Sequence, residues 1–206
     1  MEIRDYFRAL RRRWLVIVGA VVVAVVAAGA LTATITPQYA STSRVYFSTP
    51  PTNTTNAYQG GLFAQQQASS YADLVGGLGF SQKLIDTVGL DTTATNLSER
   101  IKASLVPNTV VLKIVVTDSS ATEAQKVNAA AVSQLRALVR QVGTPARGRG
   151  AALRTSVVDA PQKPKDAISP RPVANVALGA AAGLVLGFVL VVVLELLNPT
   201  TRRDDA

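Results

Sequence analysis

The sequence predicts an α+β protein in which two transmembrane helices flank a small mixed-sheet extracytoplasmic domain with covering helices. Three observations predict it. Residues 14–43 hold no charged side chain, and residues 14–31 are almost unbroken Val, Ala, Ile, Leu and Gly. Residues 172–194 are again free of charge, and the apolar run continues past Glu195 to Leu197. Between them lies a polar block that mixes strand-like alternation with helix-like spacing of apolar residues. About 20 apolar residues in a helix cross a hydrocarbon core of ~30 Å. Lipid offers no partner for free backbone groups, so both runs are read as helices.

In chain order, residues 1–13 form a cytoplasmic N-terminal tip and residues 14–35 the first span. Residues 36–172 form the extracytoplasmic domain, whose Pro-rich end covers 160–172. Residues 173–197 form the second span and residues 198–206 a cytoplasmic tail. Orientation follows from Arg4, Arg8, Arg11, Arg12 and Arg13 before the first span, because basic flanks stay inside. Arg202 and Arg203 agree; Lys163, Lys165 and Arg171, outside and near the second span, oppose it mildly. Trp14 sits at interfacial depth. The rival reading of the first run is a cleaved signal peptide ending near Ala28-Gly29-Ala30, but its apolar core is longer than the 7–15 residues such peptides carry. Both termini inside and the main domain outside an inner or plasma membrane is the expected localisation.

Within the domain, residues 39–47 are rich in β-formers and read as a strand leaving the membrane. Residues 49–61 carry Pro50, Pro51 and two Gly and read as a loop. Residues 62–74 read as a helix with Phe63, Gln67, Tyr71 and Leu74 along one side, broken by Gly76, Gly77 and Gly79. A helix over 81–88 ends at Gly89 in the C-cap position. Residues 97–103 read as a short helix with Ser98 near its start. Residues 110–116 are apolar on both faces apart from Lys113, the mark of a central strand. Ser120 and Glu123 have capping-box spacing and open a helix over 121–142. Ala124, Val127, Ala131, Leu135, Leu138 and Val142 form its apolar stripe, and Gly143 ends it. Residues 144–150 are a basic loop, and 156–159 a last short strand.

Composition excludes several chemistries. The 206 residues include no Cys and no His. No disulfide, thiolate or imidazole metal site, or Ser-His or Cys-His nucleophile pair can be built. Neither metal nor cofactor is expected, and nothing brings two of Asp73, Asp86, Asp91, Asp118, Asp159 and Asp166 together for glycosidase work. The reading is of a protein that is not an enzyme. The outer segment carries 14 Lys and Arg against 8 Asp and Glu. That field favours anionic glycan or lipid headgroups. Nucleic acid is not an expected partner of a domain outside the cytoplasm.

Four residue groups are the candidate sites; none is catalytic, cofactor-binding or metal-binding. Gly179, Gly183 and Gly187 recur every four residues and so share one helix face, a transmembrane packing seam toward the first span or a neighbouring subunit. Pro161, Pro164, Pro170 and Pro172 make the segment into the second span stiff and extended, a coupler rather than a slack linker. Glu195, near the inner end of the second span, pairs with Arg11, Arg12 or Arg13 or is solvated at the interface. Arg147, Arg149 and Arg154 are candidates for contact with anionic glycan or a partner.

Four features together resemble the Wzz-type chain-length determinants, the polysaccharide co-polymerases, and most closely their kinase-adaptor branch in capsule and exopolysaccharide biosynthesis. They are the Asp5-Tyr6 to Trp14 lead, the strand after the first span, residues 110–118 with the Ala-rich helix behind them, and Val157-Val-Asp-Ala-Pro161 running through Pro164, Ser169-Pro170 and Pro172 into a Gly-rich span. The resemblance implies a non-catalytic homo-oligomer in membrane lipid, working with a polysaccharide polymerase or export machinery and regulating glycan chain length. In the kinase-linked branch the cytoplasmic ends bind a tyrosine kinase. This sequence holds no G-x-x-x-x-G-K-[ST], so that kinase is expected as a separate chain. Residues 142–156 are too few for the long helical arm of larger relatives. The alternative function is an envelope-sensing scaffold that gates a kinase without controlling glycan length.

Overall fold

A computed structural model describes residues 13–49, 54–142 and 153–197, and the side chains of all of these but 54–58 and 195. In chain order the elements are α1 (Trp14–Thr34), β1 (Tyr39–Ser48), α2 (Thr54–Val75), α3 (Leu78–Val88), α4 (Ala94–Arg100), β2 (Ile101–Leu105), β3 (Val111–Asp118), α5 (Ala121–Val142), β4 (Arg154–Asp159) and α6 (Pro172–Leu197). Two compact units result: a pair of apolar helices, α1 with α6, and a domain over Pro37–Ser169.

The helices α1 and α6 are apolar all round and long enough to cross a membrane. At 1.5 Å per residue they measure about 31 and 39 Å. Pro172 is the first residue of α6, where its fixed φ suits a helix start and its missing N–H costs nothing. Helix α1 stops at Ile35, which is extended.

The domain is α+β around one four-stranded sheet in the order β2-β3-β1-β4. All three pairings are antiparallel, so the expected mixed sheet is corrected to a purely antiparallel one. Connectivity explains this. A short turn with Asn108 at φ 58° joins β2 to β3, and such a turn can only produce an antiparallel pair. The chain also arrives before β1 and departs after β4 at the same end of the sheet, where Arg44 faces Asp159. The expected neighbourhood of first and last strands is therefore a direct pairing.

One face of the sheet is the core. Val45 and Phe47 of β1, Leu112, Ile114 and Val116 of β3 and Ile101 of β2 point into it and are buried. Helices α2 and α5 pack on this face. On α5 the buried positions are Ala124, Val127, Asn128, Ala131, Val132, Leu135 and Val139, close to the predicted stripe, while Val142 is exposed. Phe47 stacks on Tyr71 at a centroid separation of 5.7 Å. Burial pushes the Tyr71 phenol above its ordinary value.

Three local readings are corrected. The loop over 49–61 ends early, because α2 already begins at Thr54. The buried side of α2 is Ala64, Ala68, Tyr71, Ala72 and Val75, not Phe63 and Leu74, which are exposed. Small residues let this helix lie close to the sheet. The short helix read over 97–103 is α4, capped by Thr93, whose Oγ1 accepts from the Asn96 N–H, and its second half is the edge strand β2. Gly89 ends α3 in the left-handed conformation at φ 70°, as its C-cap position required.

Candidate functional site

The described residues contain no group of three His, Cys, Asp or Glu placed to hold a metal ion. Individual carboxylates are already engaged. Asp159 pairs with Arg44 at 2.8 Å, and Asp86 accepts from Gln82 at 3.0 Å. Asp118, nearly buried, is ion-paired with Arg100 and accepts the Ser120 N–H at 2.9 Å. This last contact changes the expected capping box. Ser120 Oγ accepts from the Glu123 N–H at 3.4 Å, but the return bond to the Ser120 N–H comes from Asp118. The features that can do work here are contacts between elements.

The first is the glycine face of α6. A Cβ at Gly179 would lie 2.7 Å from Ala28 Cβ. At Gly183 it would lie 2.7 Å from Val21 Cα and 2.9 Å from Ala24 Cβ, and at Gly187 2.9 Å from Ile17 Cα. Each value is below any real carbon contact, so only glycine admits the backbone of α1 at this distance. Gly19 and Gly29 on α1 have open space around them. Of the two faces the sequence left open, this one lies against the chain's own first span. Beside it Asn175 Nδ2 donates to Thr32 Oγ1 at 3.1 Å, and Thr32 Oγ1 donates to the Ala28 carbonyl at 2.7 Å. The sequence reading passed over this polar pair. A lone Asn in an apolar run was its signal.

The second is the base of the domain. The Gln38 N–H donates to the Ser169 carbonyl at 2.9 Å, and the Ile168 N–H to the Gln38 carbonyl at 2.7 Å. Arriving and departing chain are thus clasped to each other. The proline segment returns along the start of β1 and is held there. The Ser41 hydroxyl donates to the Gln162 carbonyl at 2.9 Å, and Gln125 Nε2 to the Pro161 carbonyl at 3.2 Å. Pro161 and Pro164 therefore sit on the domain, while Pro172 starts α6.

Behind the clasp is a buried polar node that the sequence reading also missed. Asn128 of α5 donates from Nδ2 to the Ser41 carbonyl at 2.7 Å and accepts from the Ser43 hydroxyl at 2.7 Å. All three side chains are fully buried. Unpaired, such groups would each cost about 1–3 kcal/mol. An Asn on the inward side of an alanine-rich helix, facing serines at inward strand positions, was the available signal.

Of the remaining candidates, Arg154 is exposed on β4 opposite Ser48. The carbonyl of Arg13 accepts from the Val16 N–H at 2.9 Å at the start of α1. Arg11, Arg12, Arg147, Arg149 and the Glu195 side chain lie outside the described residues.

Residues 1–87 match the family model "Wzz: Chain length determinant protein". The chain is 27% identical over 181 residues to the capsular polysaccharide biosynthesis protein CpsC of Streptococcus agalactiae, covering 83% of this chain and 72% of that one. The protein of the same name from S. agalactiae serotype Ia gives the same figures. The fold is similar to that of a full-length bacterial polysaccharide co-polymerase, with a TM-score of 0.50 and 13% identity over the full length of both chains. These likenesses point the same way: the chain is similar to the Wzz-type chain-length determinants over residues 1–87 and to CpsC along most of its length.

Proposed function

We propose that this protein is a non-catalytic membrane co-polymerase that regulates the chain length or export of a capsular polysaccharide, working as a homo-oligomer. The observation that carries the reading is the likeness to CpsC along 83% of the chain. The layout supports it. Two helices able to span a membrane bracket one domain whose two ends are held together, which suits a body anchored beside a polymerase or exporter. Residues 1–13 and 198–206 face the cytoplasm by the basic-flank rule, and the domain lies outside. Those two tips are where a separate tyrosine kinase docks. Glu195 pairs with the arginines of residues 11–13 near the same surface, and the proline segment couples domain to span.

Surface glycan from a deletion strain, run on a gel, tests the main claim. Loss of the modal length or of export is expected, with recovery on complementation. An unchanged length distribution defeats it, and if kinase capture by the tips persists, the envelope-sensing scaffold takes its place. Thiol labelling of whole cells bearing cysteine at position 3 or 204 tests the topology; neither position should react.

A further inference from the structure

We infer that the uncovered face of the sheet is a binding surface for an acidic polysaccharide chain; this deepens the co-polymerase reading and rests on it. Helices α2 and α5 cover the face that carries Val45, Phe47, Leu112 and Ile114, and no described helix covers the other. Strand alternation puts Lys102 of β2, Lys113 of β3, Arg44 and Tyr46 of β1 and Arg154 of β4 on that second face.

The register aligns them. Lys102 is opposite Val115, which is opposite Thr42. Lys113 is opposite Arg44. Arg154 is opposite Ser48. Moving across the sheet from β2 to β4, Lys102 lies at the level of Thr42, Lys113 and Arg44 share one level, and Arg154 lies at the level of Ser48. They form one diagonal line from the level of Thr42 to that of Ser48. At ~3.3 Å per residue and ~4.8 Å per strand, the line is roughly 25 Å long. Tyr46 is 41% exposed and lies on this diagonal between Arg44 and Arg154.

Charge on this face is one-sided. Asp159 is its one described carboxylate, and it is already paired with Arg44. Arg44 and Lys113 stand directly opposite each other, a like-charge arrangement that costs stability in a sheet. A row of cations satisfied by a single carboxylate is complementary to a linear polyanion. A polymer with many carboxylates or phosphates along its length meets Lys102, Lys113 and Arg154 together, with Arg44 between them shared with Asp159. Lipid headgroups would meet them singly, and the apolar residues between them, Val111 and Val115, are half-buried and do not protrude. The Tyr46 ring adds a flat apolar platform with a polar tip, suited to the C–H face of a sugar.

The test titrates full-length protein in detergent with a hyaluronan oligosaccharide, whose uronates make it an acidic glycan, and with neutral dextran of similar length. K102Q/K113Q/R154Q should bind hyaluronan about tenfold more weakly than wild type. A matched charge loss on the helices, K83Q/K126Q/R136Q, should leave binding unchanged, and K102R/K113R/R154K should retain it. Equal binding by the sheet-face glutamine variant, equal loss in the helix variant, or equal binding of dextran overturns the inference. So does capture of phosphatidylglycerol vesicles, lost in the sheet-face variant, without hyaluronan binding, which would make this a lipid surface. Binding is read in vitro and glycan length in the deletion strain, so either claim can fail while the other stands.

Discussion

In the α1–α6 pair the closest approaches occur where side chains are missing, at Gly179, Gly183 and Gly187. In the domain the core is filled by large side chains such as Phe47, Leu112, Ile114 and Leu135, which are fully buried. The surrounding medium accounts for the contrast. Water rewards the burial of large apolar groups at about 25 cal/mol per Å². Lipid tails are as apolar as leucine, so helices gain nothing of that kind by meeting. They rely on close backbone approach and on polar bonds such as Asn175 to Thr32. The polar groups differ too. The domain buries a three-residue node at Asn128, while α1 and α6 are joined by the Asn175–Thr32 side-chain bond.

The sharpest way to test the contrast is to remove bulk from the domain. Leu135→Ala should cost about 2–5 kcal/mol, read by denaturant or thermal unfolding of the domain signal. Asn128→Ala should cost about 1–3 kcal/mol by stranding Ser41 and Ser43, with the loss seen as faster amide exchange in β1. In the hairpin the sign of the steric change reverses. Gly183→Leu adds bulk and should weaken helix pairing by about 1–3 kcal/mol in a disulfide-trapping assay across α1 and α6. Gly19→Leu, with open space around it, should be close to neutral. Equal effects at positions 183 and 19 would abolish the distinction. Asn175→Ala should cost only ~0.6 kcal/mol in the same assay. The smallest effect belongs to pH. The native Tyr71 phenol holds its proton above its ordinary value of 10.0. Its contribution is intact below pH 10.0 and is lost as pH rises toward the native value. Tyr71→Phe should flatten that alkaline decline in melting temperature.

Both apolar helices, β1, β3, α5 and β4 were legible because each carries its own period: unbroken apolarity, alternation, or three-and-four spacing. Edge strand β2 was not. Ile101-Lys-Ala-Ser-Leu105 follows a helix without a break, and its strand character comes from pairing with β3, a long-range fact. On α2 the large residues Phe63 and Leu74 do not mark the inward face, which is mostly alanine. The sheet requires close approach there, and alanines provide it. Among the candidate sites, the glycine spacing pointed to a helix face but not to its occupant. The polar node was hidden because Ser41 and Ser43 hold inward positions on β1, which blurs the alternation until Asn128 is seen opposite them. Charge counts found the outer segment basic, but only the strand register lines Lys102, Lys113, Arg44 and Arg154 into one row.

The clasp at Gln38 and Ser169 also has a mechanical meaning. Its bonds and those of β1 with β4 run across the strands, and both ends of the domain leave from the same side. Tension applied between those ends would load these bonds in sequence, as in unzipping, and not together, as in shear. The domain should therefore peel open from Gln38 toward Ser48 at low force, with the outermost pair acting as a fuse.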